Sequence, residues 1–196
     1  MLLPKVCAGC GGPGLSPCGR CVGDLKPVGQ MPAPEPLATL TAVFVYTGVG
    51  REMLTRLKYR NQRASIGWLA TAMATALPEH LHLNALTWAP TSAQRRRRRG
   101  FDQAELLARA LGRKIGLPVV SVLRRIDAAG QTGLNRSQRV AAPEFAVRGS
   151  PQGAILVLDD VITTAATLRA AAYALLQAGV QRVDGVVAAA TPITQH

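Results

Sequence analysis

A chain of 196 residues is long enough for one full hydrophobic core and a small appendage. Its 23 Lys and Arg against 11 Asp and Glu leave a formal charge of +12, which implies an anionic partner: nucleic acid, a membrane surface or a phosphorylated small molecule. Membrane insertion is excluded, because the longest uncharged candidate run, Ala64 to Pro78, is broken by Gly67 and several Thr.

In chain order the first feature is a four-cysteine cluster, Cys7-x2-Cys10 and Cys18-x2-Cys21, on glycine-rich knuckles. The x2 spacing lets both thiolates of a pair reach one ion, which suits tetrahedral Zn2+. No signal-peptide pattern precedes Cys7, so the expected location is the cytoplasm, where disulfides are disfavoured. No His, Asp or Glu interrupts the cluster, and the zinc is therefore expected to be structural; two vicinal redox pairs or a vestigial knuckle are the alternatives. Pro27, Pro32, Pro34 and Pro36 follow in a low-charge stretch that reads as a stiff linker. The boundary falls there, with residues 1–36 as zinc knuckle and linker and 37–196 as the main domain.

The main domain alternates strand and helix. "AVFVY" (Ala42 to Tyr46) reads as a strand, followed by a short basic helix, Arg51 to Leu57, and a second helix over Ala64 to Ala76. "ALTWAP" is a buried strand that stops at Pro90, and the block Arg95 to Arg99 comes after it. From Asp102 a helix runs with Ala104, Leu107, Ala108, Leu111 and Ile115 on one face. "PVVSVL" is the next strand, residues 124 to 150 read as a long mobile loop, and Ile155 to Leu158 form a further strand. Leu168, Ala171, Ala172, Leu175 and Leu176 mark the next helix, closed by Gly179, before a last strand in "VDGVVAAAT". This alternation predicts an α/β fold with a mostly parallel sheet flanked by helices, whose ligands bind at the carboxyl ends of the strands.

The chemistry concentrates in "ILVLDDVITTAAT". Asp159 and Asp160 end an apolar strand, and two ionised carboxylates repel each other there unless cations or hydroxyls meet them. A ribose diol with Mg2+ fits. Thr163 and Thr164 then precede a helix whose unpaired first-turn N–H groups and dipole favour an anion. Ala165 and Ala166 let a phosphate approach the backbone, and Thr163, Thr164 and Thr167 add hydroxyl donors. Singly, these residues have ordinary roles as helix and loop caps. As an ordered set, sugar at the acids and phosphate at the turn, they describe a 5-phosphoribosyl site. No general base stands out, since His80, His82 and His196 fall in loop or tail positions.

The same segment resembles the phosphoribosyl pyrophosphate signature of type I phosphoribosyltransferases. "RRRRRGFDQAELLARAL", the four cysteines, "LKYR" at Leu57 to Arg60 and "QTGLNRSQR" at Gln131 to Arg139 resemble, in the same order, the ComF family. That family usually carries Gly where this chain has Ala165, and Asn where it has Asp102. The resemblance implies a type I phosphoribosyltransferase-like domain behind a zinc knuckle. Residues Val161 to Thr167 (Val161, Ile162, Thr163, Thr164, Ala165, Ala166, Thr167) would bind the donor together with Lys58, Thr91 and Arg99. Asp159, Asp160, Arg124 and Arg139 would serve the chemistry, with Ala89 to Ser92 as pyrophosphate loop and Arg124 to Arg139 as a closing flap.

Two functions of different class follow. One is Mg2+-dependent transfer of the phosphoribosyl group of phosphoribosyl pyrophosphate, or use of a related 5-phosphoribose ligand, with an acceptor that no residue identifies. The other is a non-catalytic, zinc-containing protein that binds single-stranded DNA or DNA-uptake proteins through its arginines. Few aromatic residues are present to stack bases, and the oligomeric state is open.

Overall fold

The computed structural model describes residues 6–60, 63–126 and 143–192. The cysteine knuckle ends in one helical turn, Gly19–Gly23 (α1). Pro27–Met31 (β1) and Leu40–Val45 (β2) precede two helices, Gly48–Arg60 (α2) and Ile66–Ala76 (α3). Ala85–Trp88 (β3) leads into Ala93–Arg99 (α4) and Gln103–Ile115 (α5). Leu123–Ile126 (β4) pairs antiparallel with Glu144–Val147 (β5) in a small separate ribbon. Ala154–Ile162 (β6), Ala166–Gln177 (α6) and Arg182–Ala190 (β7) follow.

The main sheet has the order β1-β2-β7-β6-β3, with β1 antiparallel to β2 and all other neighbours parallel. Its two faces are covered differently. Met53, Leu54 and Leu57 of α2, Leu69 and Met73 of α3, and Leu107 and Leu111 of α5 pack with Leu156 and Leu158 of β6. Leu168, Ala171, Ala172 and Leu175 of α6 pack with Ile155 and Val157 on the other side. β6 and β7 are thus enclosed on both faces, which is why both carry near-continuous apolar runs instead of an alternating pattern. No helix among the described residues is long and apolar enough to cross a membrane.

The α/β architecture and parallel sheet are as the sequence predicts, and three local readings change. Residues 27–31 of the proline-rich stretch form β1, an edge strand of the main sheet; an edge tolerates Pro27 at its first position, where no ladder donor is needed. "PVVSVL" is not one strand: Val119 makes an isolated bridge to Leu86, and β4 begins only at Leu123. The stretch 124–150 is strand at both flanks, while residues 127–142, including Arg139, lie outside the described residues. The arginine block is helical, capped by the Ser92 hydroxyl, which accepts from the Arg95 N–H, and ended by Gly100 in the left-handed conformation.

Candidate functional site

β3 stops at Trp88, opposite Leu158, while β6 continues to Ile162 alongside β7. Asp159 and Asp160 therefore lie within β6, beyond the reach of β3, rather than after the strand. The missing neighbour leaves a cleft of about 310 Å³ whose walls include Lys58, Thr91, Arg99, Asp159, Asp160, Val161, Thr163 and Thr167. Lys58 Nζ stands 2.9 Å from Asp160 Oδ2, with both side chains about five-sixths covered. Asp159 accepts the Asp160 N–H at 2.7 Å. Burial first, and then the charge of Asp160, push the Asp159 carboxyl up to about 8, against the opposing pull of the Asp160 N–H and Lys58.

The segment after β6 wraps a cup of about 30 Å³, bounded by Asp159 and residues 161–168. Ala165 sits in it at φ 58°, ψ 0°, the only non-glycine residue with positive φ among the described residues. This left-handed turn reverses the chain so that α6 starts at Ala166 with its free N–H groups at the cup. Ile162 is buried in the α6-side core, so it presents backbone to the cup, and Thr163 and Thr164 are exposed. The Ala165 Cβ costs about 1–2 kcal/mol in this conformation. Ala165→Gly is expected to hold or slightly raise the unfolding temperature, the strain relief offsetting glycine's roughly 0.5–1 kcal/mol of lost chain entropy. Ala165→Val is expected to destabilise by about 2 kcal/mol, since a β-branched residue tolerates positive φ poorly. Equal melting of Ala165→Val and the parent would show that the turn carries no such strain.

A residue given no role in the sequence reading ties the opposite wall together. Asp102, 4% exposed, accepts the Thr91 N–H with Oδ2 at 2.8 Å and the Ala104 N–H with Oδ1 at 3.0 Å. It caps α5 and clamps the 89–92 loop to it in one step. Burial raises its carboxyl above the ordinary range against these hydrogen bonds, and the charge of Asp160 adds to the rise. Its position just ahead of a periodic apolar face was the signal for the cap; the second bond, eleven residues back, had none. Arg99 donates to Gln103 Oε1 at 2.8 Å and to the Tyr59 hydroxyl at 3.2 Å, and its guanidinium lies 4.9 Å from the Tyr59 ring centre. Hydrogen bonding and charge from Arg99 lower the Tyr59 phenol. Arg125 lines the central cleft, whereas Arg124 lines a neighbouring one.

At the N-terminus the sulfurs of Cys7, Cys10, Cys18 and Cys21 all lie within 4.8 Å of one another. Burial opposes ionisation of Cys7, yet N–H groups of Cys18, Cys10 and Gly9 outweigh it and bring the thiol down to about 6. Burial, reinforced by hydrogen bonds with the other three thiols, pushes Cys21 up to about 12. A ready thiolate beside thiols that a cation would deprotonate is a donor set fitted to one thiophilic ion such as zinc.

No family model matches the chain. Over 146 residues it is 29% identical to the competence protein ComFC of Bacillus subtilis (strain 168), a stretch that covers 70% of this chain and 58% of ComFC. It thus spans less than two thirds of that relative. Among solved structures it is similar to the hypoxanthine phosphoribosyl transferase of Trypanosoma cruzi, at 22% identity and TM-score 0.36 over 64% of this chain and 62% of that one. A glutamic acid mutant at an invariant aspartic acid of an HPRT gives 20% identity and TM-score 0.36, over 64% of this chain and 65% of that chain. The likeness to ComFC agrees with the ComF resemblance that the ordered motifs carry.

Proposed function

We propose that the cleft binds 5-phosphoribosyl pyrophosphate and transfers its phosphoribosyl group to an acceptor nucleophile. The observation that carries this reading is the convergence of the Asp159–Asp160 pair and the 163–167 turn on one cleft. Asp159 and Asp160 accept the two ring hydroxyls, and the N–H groups around Ala166 hold the 5-phosphate with help from the Thr163 and Thr167 hydroxyls. The 89–92 loop, held by Asp102, and Arg99 face the pyrophosphate. The bond from ribose C1 to the pyrophosphate oxygen breaks with its electron pair on the oxygen, and the acceptor forms the new bond to C1 and gives up its proton.

The carboxylates of Asp159 and Asp160 would hold Mg2+, and the ion would supply positive charge against the departing pyrophosphate. Lys58 balances the charge of Asp160 at 2.9 Å and also lines the cleft. Titration calorimetry with 5-phosphoribosyl pyrophosphate is expected to give saturable binding at one equivalent in the cleft, strengthened by Mg2+. Absence of binding with and without Mg2+ would remove the reading.

A second reading, binding of single-stranded DNA, is favoured by one feature: the exposed guanidinium row of α4 beside the exposed ring of Tyr59, which Arg98 and Arg99 overlie. Arg95 and Arg99 belong both to this row and to the wall of the cleft, so the two readings share residues.

A further inference from the structure

Gln103 opens α5 beside Asp102, and among the described residues it is the buried polar side chain that lines the central cleft with an atom left unpartnered. The residue is 2% exposed. Its Oε1 accepts from Arg99 Nη1 at 2.8 Å, and because a guanidinium only donates, that bond fixes which end of the amide is oxygen. Nε2, which carries two N–H donors, is covered and meets no acceptor. The other buried atoms in that condition are the hydroxyls of Thr41, Ser65 and Thr87, none of which borders the cleft.

A side-chain amide that serves only the fold is bonded at both ends, because a buried donor without an acceptor loses its hydration and gains nothing in return. Gln103 Nε2 is in that state, which marks it as a donor for an acceptor atom that comes from outside the chain. Its neighbours indicate the chemistry of that acceptor. Thr91, Arg95 and Arg99 line the same cleft, and guanidinium and amide N–H groups both seek oxygen, which an anionic phosphoryl group supplies to several donors at once. Arg99 is half-buried, donating to Gln103 on one side and to the Tyr59 hydroxyl on the other. A phosphate that draws this guanidinium toward itself frees the oxygen end of the amide, and a turn about its soft terminal side-chain bond then presents Nε2 to the cleft.

We infer that Gln103 is a further donor-binding residue, whose amide nitrogen holds a non-bridging oxygen of the pyrophosphate group beside Arg99. The inference rests on the donor reading above and adds a specificity determinant to it. The 5-phosphate belongs to the turn at 163–167, so Gln103 acts on the pyrophosphate end alone and separates a pyrophosphate-bearing ligand from a 5-phosphoribose that lacks one.

The test titrates inorganic pyrophosphate, 5-phosphoribosyl pyrophosphate and ribose 5-phosphate, each with Mg2+, into the parent, Gln103→Glu and Gln103→Met. Glu keeps an oxygen for Arg99 and loses the N–H donors, whereas Met loses both ends of the amide but adds no charge, so a change common to the two belongs to Nε2. Both variants are expected to bind the two pyrophosphate-bearing probes about tenfold more weakly or worse, and ribose 5-phosphate within about twofold of the parent. Gln103→Met is expected to melt no lower than the parent, because it removes a donor that the empty protein leaves unpaired. If both variants bind pyrophosphate as the parent does, the inference is overturned and the donor reading stands. Equal losses for ribose 5-phosphate and pyrophosphate, with lower melting, make Gln103 a structural residue and overturn it as well. Gln103-dependent binding of pyrophosphate by a parent that does not take 5-phosphoribosyl pyrophosphate upholds the amide's role and removes the donor reading. A parent that binds neither removes both.

Discussion

Asp160→Asn is expected to weaken 5-phosphoribosyl pyrophosphate binding by about tenfold to a hundredfold, because a charge-assisted hydrogen bond is worth roughly 1.5–3 kcal/mol. The amide also leaves Lys58 without the counter-charge that it meets at 2.9 Å. A second readout separates this from mere loss of fold. Asp159 is held up to about 8, partly by the Asp160 charge, so donor affinity in the parent is expected to rise as pH climbs toward 8 and Asp159 ionises. Removing the Asp160 charge lowers Asp159, and the rise should move to lower pH. The empty protein shows the opposite trend. A carboxyl raised above its ordinary 3.8 stabilises the fold fully below that value, and the contribution is lost as pH increases toward about 8. Melting temperature should therefore decline across that window in the parent and decline less in Asp159→Asn. Unchanged donor affinity and pH profile in Asp160→Asn would place the donor elsewhere.

How much of this was legible in the sequence depended on whether the cause was local. The apolar face of α5 repeats with helical spacing and could be read directly, and its cap at Asp102 sits one residue before it. The turn that we propose holds phosphate was legible because strand, acids, hydroxyls and helix follow one another within a dozen residues. The helical state of Arg95 to Arg99 was not, because no apolar period marks it; only Ser92 and Gly100 at its ends gave a signal. The Lys58–Asp160 pair and the Asp102–Thr91 clamp join segments that come together only through the sheet, and no spacing rule announces them. The same holds for the split between Arg124 and Arg125, adjacent in sequence but with only Arg125 reaching the central cleft.

The proline-rich stretch is a case of composition giving a weak guide. Prolines signal stiffness, but a strand at a sheet edge can also contain them, and β1 takes its place through pairing with Leu40 to Phe44. A boundary at residue 36 would leave β1 outside the sheet it belongs to, so we propose that the knuckle gives way to the main domain ahead of Pro27.

Loss of the knuckle's metal is expected to have the larger effect on stability, and to reach the cleft. The knuckle is docked on α2 rather than tethered: Ala8 is fully buried in the core that holds Met53, Leu54 and Leu57, and Arg56 donates to the Cys7 carbonyl at 3.2 Å. Gly9 packs so closely between Cys21 and Val49 that a Cβ there would meet both at under 3 Å. α2 then carries Lys58 to Asp160 and Tyr59 to Arg99. A structural zinc site supplies folding free energy outright, so Cys21→Ser or chelation is expected to destabilise by on the order of 5 kcal/mol. Because α2 loses its support, donor affinity should fall by about tenfold in the chelated protein even below its melting temperature. The decisive measurement pairs native mass, which is expected to show one zinc per chain before chelation and none after, with melting and donor titration on the same samples. Stoichiometric removal of the metal with neither melting nor affinity changed would mean that α2 holds Lys58 in place without the knuckle.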